Sequence, residues 1–171
     1  ITWNVLFWII LLFSAVNGIS KSFQQEQAGR FFMYYQLASP EAIILSKIIY
    51  NTLLMLLIGL LGIAVFSLVL GNPVQDLQLF LLNLLLGALS FSSTLTMVSG
   101  IASKTASGGT LMAVLGFPVV LPVVLMLIRV SKNALDGLAF SASTDEIYTI
   151  LGINAIVMAV SFILFPYLWR S

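Results

Sequence analysis

The 171-residue sequence contains no cysteine and no histidine, and only 8% of its residues are charged. The missing cysteine and histidine exclude disulfides, thiol redox chemistry, the usual zinc and iron–sulfur sites, and histidine-ligated haem. Soluble domains carry about 25% charged residues. At 60% hydrophobic residues and a mean hydropathy of +1.11, the chain has more apolar surface than a soluble fold of this length can bury. We therefore expect an integral membrane protein.

Charge of either sign is too sparse for several functions. The net charge is +1, so no basic field is available to gather nucleic acid. Only one cluster of carboxylates stands out, Asp136 with Asp145 and Glu146, and its spacing matches no reaction template. Ser107-Gly108-Gly109 is not followed by the lysine of a nucleotide-binding loop. We expect no enzyme activity, and any ATPase must be another subunit.

Five apolar runs have the roughly 20 residues that a helix needs to cross the hydrocarbon core. They cover residues 3–19, 42–70, 77–102, 110–130 and 147–169, and polar residues 131–146 separate the last two. This pattern predicts an all-α polytopic bundle with a single transmembrane domain over residues 1–171. Because the sequence starts with Ile1 rather than Met and apolar residues begin almost at once, we expect lost upstream sequence. A cytoplasmic N-terminus would require a sixth span in that lost part.

Basic residues are divided unequally between the two sides of these spans. One side carries five, namely Lys21, Arg30, Lys47, Lys104 and Arg170, and the other carries Arg129 and Lys132. Cytoplasmic loops are enriched in Lys and Arg. The five-residue side is therefore predicted to be cytoplasmic.

Residues 21–40 are too polar at their start, and too short in their apolar half, to form a span. They include a cluster of large side chains: Phe31, Phe32, Met33, Tyr34, Tyr35 and Leu37. Two interpretations remain open, an amphipathic helix in the membrane interface and a helix that docks on a cytoplasmic partner. Ser39 is predicted to cap the next helix, with Pro40 at its first position and Glu41 in its first turn.

Polar residues and prolines also lie inside the spans. Pro118 and Pro122 each remove a backbone donor, which predicts a kinked or locally unwound fourth span. Three interpretations remain open: a purely structural kink, a hinge, and an opening toward the outer surface. The uncharged polar residues are expected to form hydrogen bonds between helices; they are Asn51, Asn83, Thr94, Thr96 and Asn154.

Five motifs follow one another along the chain: Phe23 with Glu26, Ile43-Ile-Leu-Ser-Lys47, Gly100-Ile-Ala-Ser-Lys104, Gly108-Gly109-Thr-Leu-Met and Phe117-Pro118-Val-Val-Leu-Pro122. In this order they resemble the motifs of the haem exporter protein B family of cytochrome c maturation. The resemblance covers nearly the whole chain. It implies a permease domain of the type 2 ABC exporter class with six spans, in the bacterial inner membrane.

The resemblance also implies partners and residue roles. The partners are a cytoplasmic ABC ATPase, a haem-handling membrane subunit, a small single-span subunit and a second copy of the chain. An amphipathic coupling helix is implied at residues 21–40, although Ala28-Gly29-Arg30 replaces the usual acidic-glycine step. The docking residues are then Phe23, Glu26, Arg30, Phe31, Phe32, Tyr34 and Tyr35. Lys47, Pro118 and Pro122 match family positions.

The function implied is to couple ATP hydrolysis by the partner to membrane rearrangement and release of a haem-loaded chaperone. No cofactor is expected to bind directly: ATP acts through the partner, and haem is handled only indirectly. Two alternatives remain. The chain is a type 2 exporter permease for a lipid or other small molecule, or a membrane scaffold that transports nothing.

Overall fold

A computed structural model describes residues 2–19, 39–102 and 108–170, and the regular structure in these ranges is helical. The five long helices are α1 Thr2–Ile19, α2 Pro40–Leu70, α3 Leu77–Ala102, α4 Gly108–Leu135 and α5 Thr144–Arg170. A 3₁₀ helix, Phe140–Ser143, precedes α5. Each long helix is long and apolar enough to cross a membrane. The predicted all-α bundle of five apolar helices is confirmed.

Connections between helices define two ends of the bundle. At the Gly71 end, α2 and α4 finish and α3 and α5 begin, and the Asp76 amide donates to the Ala134 carbonyl at 3.0 Å. At the Ser39 end, α1 and α3 finish and α2 begins. The end of α5 lies there too, because Phe165 packs against Ile43. Neighbouring helices in the chain therefore run in opposite directions.

Local side-chain chemistry fixes both ends of α2. Ser39 is extended and its hydroxyl accepts a bond from the Ala42 amide at 3.3 Å, with Pro40 and Glu41 in the first turn. This confirms the predicted cap. Gly71, with φ of +82°, ends α2 in a conformation that disfavours a Cβ. Pro73 then prevents the helix from continuing.

Helix α3 occupies the centre of the bundle and packs against all four other long helices. Of its most apolar 18-residue window, 78% is buried, against 11% for α2. Small side chains permit this close packing, since α3 carries Ser90, Ser92 and Ser93, all buried. The hydroxyls of Ser90 and Ser93 donate to carbonyls of α3 itself, that of Ser90 to Leu86 at 2.7 Å.

Helix α4 extends beyond the fourth apolar run. Residues 131–146 were predicted to be a polar segment between spans, but α4 continues to Leu135 and Ser131 is fully buried. The extension is stable because the Ser131 hydroxyl is hydrogen-bonded inside the bundle. Lys132, in the last turn, also complements the negative end of the helix dipole.

Within the described ranges, buried apolar side chains form two separate clusters. The main core draws on all five helices and includes Trp8, Phe80 and Leu127. A smaller Ser39-end cluster joins the first turns of α2 to the last turns of α5. It consists of Ile43, Ile44, Ile48 and Phe165, flanked by Met158 and Phe162.

Candidate functional site

The predicted docking residues lie outside the described part of the chain. They are Phe23, Glu26, Arg30, Phe31, Phe32, Tyr34 and Tyr35, and their role stays a prediction. The described residues include the two helix ends that this segment connects. Ile19 ends α1 and Ser39 caps α2, so the environments of these two ends define what the segment is attached to.

Helix α1 is attached to the main core along its whole length. Ile19, its last residue, is fully buried, as are Ala15 and Trp8. Near the Gly71 end, the rings of Trp3 and Phe7 stack with centroids 5.6 Å apart. Trp3 also meets Phe66 of α2 edge-on, at 5.6 Å. Such aromatic contacts contribute about 0.5–1.5 kcal/mol each beyond area burial.

A hydrogen-bonded latch joins α1, α3 and α4. The Trp8 indole donates to the Ser131 hydroxyl at 2.7 Å, and the Asn83 carboxamide donates to the same hydroxyl at 2.6 Å. Asn83 also donates to the Leu127 carbonyl at 2.8 Å. The predicted interhelical role of Asn83 is confirmed. Ser131 was missed because the polar residues around it indicated a loop.

The absence of a side chain at Gly87 allows the hydrogen bond between Trp8 and Ser131 to form. A Cβ at this position would lie 2.6 Å from the Trp8 ring and 3.2 Å from Leu127. Real Cβ atoms essentially never approach other atoms as closely as 2.6 Å. The indole of α1 therefore reaches Ser131 of α4 only because α3 has no side chain where the ring crosses it.

Helix α2 begins in a different environment. Ile43, Ile44 and Ile48 pack with Phe165 of α5, in the Ser39-end cluster. The helices on the two sides of the predicted docking segment are therefore packed in different clusters. Helix α1 is held by the main core, and the start of α2 by a small cluster shared with α5.

Two polar pairs lie on α2 just beyond the Ser39-end cluster. The Asn51 carboxamide donates to the Thr96 hydroxyl at 2.9 Å, and the hydroxyls of Thr52 and Ser92 are 2.5 Å apart. The interhelical role predicted for Asn51 and Thr96 is confirmed. Met55, one turn further, already belongs to the main core. The polar pairs thus mark the boundary between the two clusters.

Asn154 departs from its predicted role. It lies on the buried face of α5, but neither atom of its carboxamide has a hydrogen-bond partner within the described ranges. The prediction of an interhelical hydrogen bond is wrong here. An unsatisfied amide inside a membrane bundle is costly, so Asn154 is a local weakness of α5 packing.

The remaining predicted positions are dispersed. Pro118 and Pro122 are exposed on α4, which continues as a helix through both. The locally unwound form of the prediction is not observed, and the hinge stays a prediction. Lys47 is half-buried in α2, close to the Ser39 end. Arg170 ends α5 at that end, and Lys21 and Lys104 lie outside the described residues.

A sequence model of the CcmB protein family matches residues 3–167. The chain belongs to the CcmB family. No curated protein and no solved structure matches it. The resemblance that the motifs indicated is confirmed over nearly the whole chain.

CcmB membership implies a broad function. It makes the chain a multi-pass membrane permease component of a haem-export ABC transporter in cytochrome c maturation, with an ATPase as partner. A permease subunit of this kind fits a non-catalytic role. For a CcmB protein, the site of interest is therefore the junction where an ATPase would act on the helices.

Proposed function

We propose that this CcmB chain converts ATP binding and hydrolysis by a cytoplasmic ATPase into relative movement of its helices. The ATPase binds residues 21–40, and its main contacts are Phe23, Glu26 and the aromatic residues from Phe31 to Tyr35. The movement promotes release of a haem-loaded chaperone from the maturation complex. Haem is handled indirectly, and ATP acts through the partner.

The observation that carries this proposal is the unequal attachment of the segment. Ile19 at one end is buried in the main core, while the helix capped by Ser39 begins in the Ser39-end cluster. A pull on the segment acts on both clusters together. Because the main core is the larger and is latched by Trp8 and Ser131, displacement falls on the Ser39-end cluster.

The polar pairs of α2 suit the boundary between a fixed and a moving part. Interhelical hydrogen bonds in membranes average about 0.6 kcal/mol. The Asn51–Thr96 and Thr52–Ser92 pairs therefore hold α2 on α3 without preventing exchange between two arrangements.

The complex has further proposed members. A haem-handling membrane subunit, a small single-span subunit and a second copy of the chain act beside it in the bacterial inner membrane. The face of α2 offers a surface for the second copy or for lipid, since Leu53, Leu57 and Leu61 are all exposed. The end with Lys47 and Arg170 faces the cytoplasm.

Copurification with the ATPase tests the docking assignment. One variant replaces Phe23, Phe31, Phe32, Tyr34 and Tyr35 by Ala and Glu26 by Gln. The expected result is loss of the ATPase from the purified complex with the membrane subunits retained.

A matched control changes exposed residues at the Gly71 end. It combines Phe140→Ala, Tyr148→Ala and Asp145→Asn, all of them exposed side chains. This variant should retain the ATPase. Full ATPase retention by the docking variant, or equal loss in both variants, would refute the assignment.

A further inference from the structure

A cleft of about 480 Å³ opens at the Gly71 end between α1, the turn before α3, and α4. Its lining includes Trp3, Asn4, Pro73 and Ile128. Asn4 is 2% exposed, and its carboxamide nitrogen donates to the Ile128 carbonyl at 2.9 Å. Its Oδ1 accepts no bond from any of residues 2–19, 39–102 or 108–170, and the Trp3 indole N–H is also unpaired there. The cleft therefore lies beside one buried acceptor and one buried donor that are both unused.

Charges of both signs line the same cleft. Lys132 lies in the last turn of α4 and Asp136 directly follows the end of the helix, and both side chains are exposed. A purely anionic ligand would be repelled by Asp136, and a purely cationic ligand by Lys132. A zwitterion satisfies both, with its anionic group at the lysine and its cationic group at the aspartate.

The position of the cleft favours an amphiphile. It lies at the ends of apolar helices, and Trp and Lys are residues that commonly sit at the membrane interface. Below it, α1 and α4 expose Leu6 and Leu125, which lie on membrane-spanning segments. A ligand with a polar head in the cleft would place its apolar part along these helices.

We propose that this cleft binds the headgroup of a phospholipid that carries a primary amine. The phosphate pairs with Lys132, and the ammonium donates a charge-assisted hydrogen bond to Asp136, because these two exposed side chains carry the charges that line the cleft. A choline headgroup has no N–H to donate, and a glycerol headgroup has no cation.

Native mass spectrometry of the full-length protein in its complex tests this assignment. The complex is placed in nanodiscs containing equal amounts of phosphatidylethanolamine, phosphatidylcholine and phosphatidylglycerol, and the retained lipids are counted. Phosphatidylethanolamine should be retained about tenfold over the other two, the ratio expected for one charge-assisted hydrogen bond. Equal retention of all three identifies boundary lipid only and overturns the proposal.

Matched variants locate the site. Lys132→Gln with Asp136→Asn should remove the preference, whereas Arg129→Gln with Asp145→Asn changes exposed charges at the same end, outside the cleft, and should retain it. Equal loss in the two charge variants, or no loss in either, overturns the proposal.

A soluble competitor separates a lipid from a free headgroup. Glycerophosphoethanolamine, which lacks acyl chains, should leave the bound lipid in place at equal concentration. Displacement at that concentration contradicts a lipid site. The proposal goes beyond the proposed function, and ATPase copurification tests that function separately.

Discussion

The main core and the Ser39-end cluster differ in how they are held together. The main core combines five helices, stacked rings and the hydrogen-bonded latch of Trp8, Asn83 and Ser131. The Ser39-end cluster brings together two helices, through four buried side chains centred on Phe165. In a membrane, apolar packing gains little from solvent exclusion, because lipid is as apolar as the side chains. Hydrogen bonds between helices and close packing of side chains therefore make the main core the more rigid of the two clusters.

The largest expected effect comes from adding a side chain at Gly87, against the Trp8 ring. Gly87→Ala places a Cβ 2.6 Å from that ring and must displace it, which breaks the bond to Ser131. The free energy of unfolding should fall by about 2–3 kcal/mol, the sum of overpacking and one lost bond. Denaturant titration in mixed micelles measures it.

Gly152→Ala is the matched control for this change. A Cβ at Gly152 has nothing within 4 Å, and Ala favours a helix over Gly, so the free energy of unfolding should not fall and should rise by up to about 1 kcal/mol. Equal losses in the two variants would mean that Trp8 does not pack as tightly as the latch requires.

Removing the shared acceptor should have the next largest effect. Ser131→Ala leaves the donors of Trp8 and Asn83 without this partner, and the free energy of unfolding should fall by about 1–2 kcal/mol. Ser141→Ala, an exposed serine at the same end, should be neutral. An unchanged unfolding midpoint for Ser131→Ala would mean that the hydrogen bonds of Trp8 and Asn83 to Ser131 do not stabilise the fold.

A smaller loss is expected at the boundary between the clusters. Asn51→Leu with Thr52→Val removes both polar pairs to α3, and should lower the free energy of unfolding by about 1 kcal/mol. Thr149→Val, on an exposed face of α5, serves as the control. A loss larger than that of Ser131→Ala would mean that the polar pairs of α2 contribute more to stability than the hydrogen bonds of Ser131.

The smallest effect should have the opposite sign. Asn154→Leu replaces an unpaired buried carboxamide by an apolar group of similar size, and should raise the free energy of unfolding by about 0.5–1 kcal/mol. The same titration checks it. A loss of stability would mean that Asn154 has a partner in the assembled complex.

The predictable features were those that depend on local chemistry. Hydropathy identified the five helices, and the Ser39 cap followed from a serine, a proline and an acidic residue in sequence. The hydrogen bonds of Asn83 and Asn51 were predictable because a carboxamide inside a span needs a partner, although the same reasoning failed for Asn154. The orientation of α2 was not, since an evenly apolar helix carries no signal for the face that it buries.

Two features of the site required the three-dimensional structure. Ser131 lies between residues typical of a loop, and only the meeting of α1, α3 and α4 makes it a shared acceptor. The division into two clusters depends on which turns of α2 meet α5, and no spacing in the sequence determines that. The docking residues themselves remain a prediction from motif and resemblance.

Pairs of spin labels on the assembled complex test the central claim most directly, and the chain contains no native cysteine to interfere. One pair of labels at exposed positions would join Leu6 of α1 to Leu125 of α4, two helices that the main core holds together. The other would join Asn17 of α1 to Leu45 of α2, across the two clusters. On addition of ATP, the distance between Asn17 and Leu45 should shift while that between Leu6 and Leu125 stays constant. A shift in both distances, or in neither, would contradict movement of the Ser39-end cluster against a fixed core.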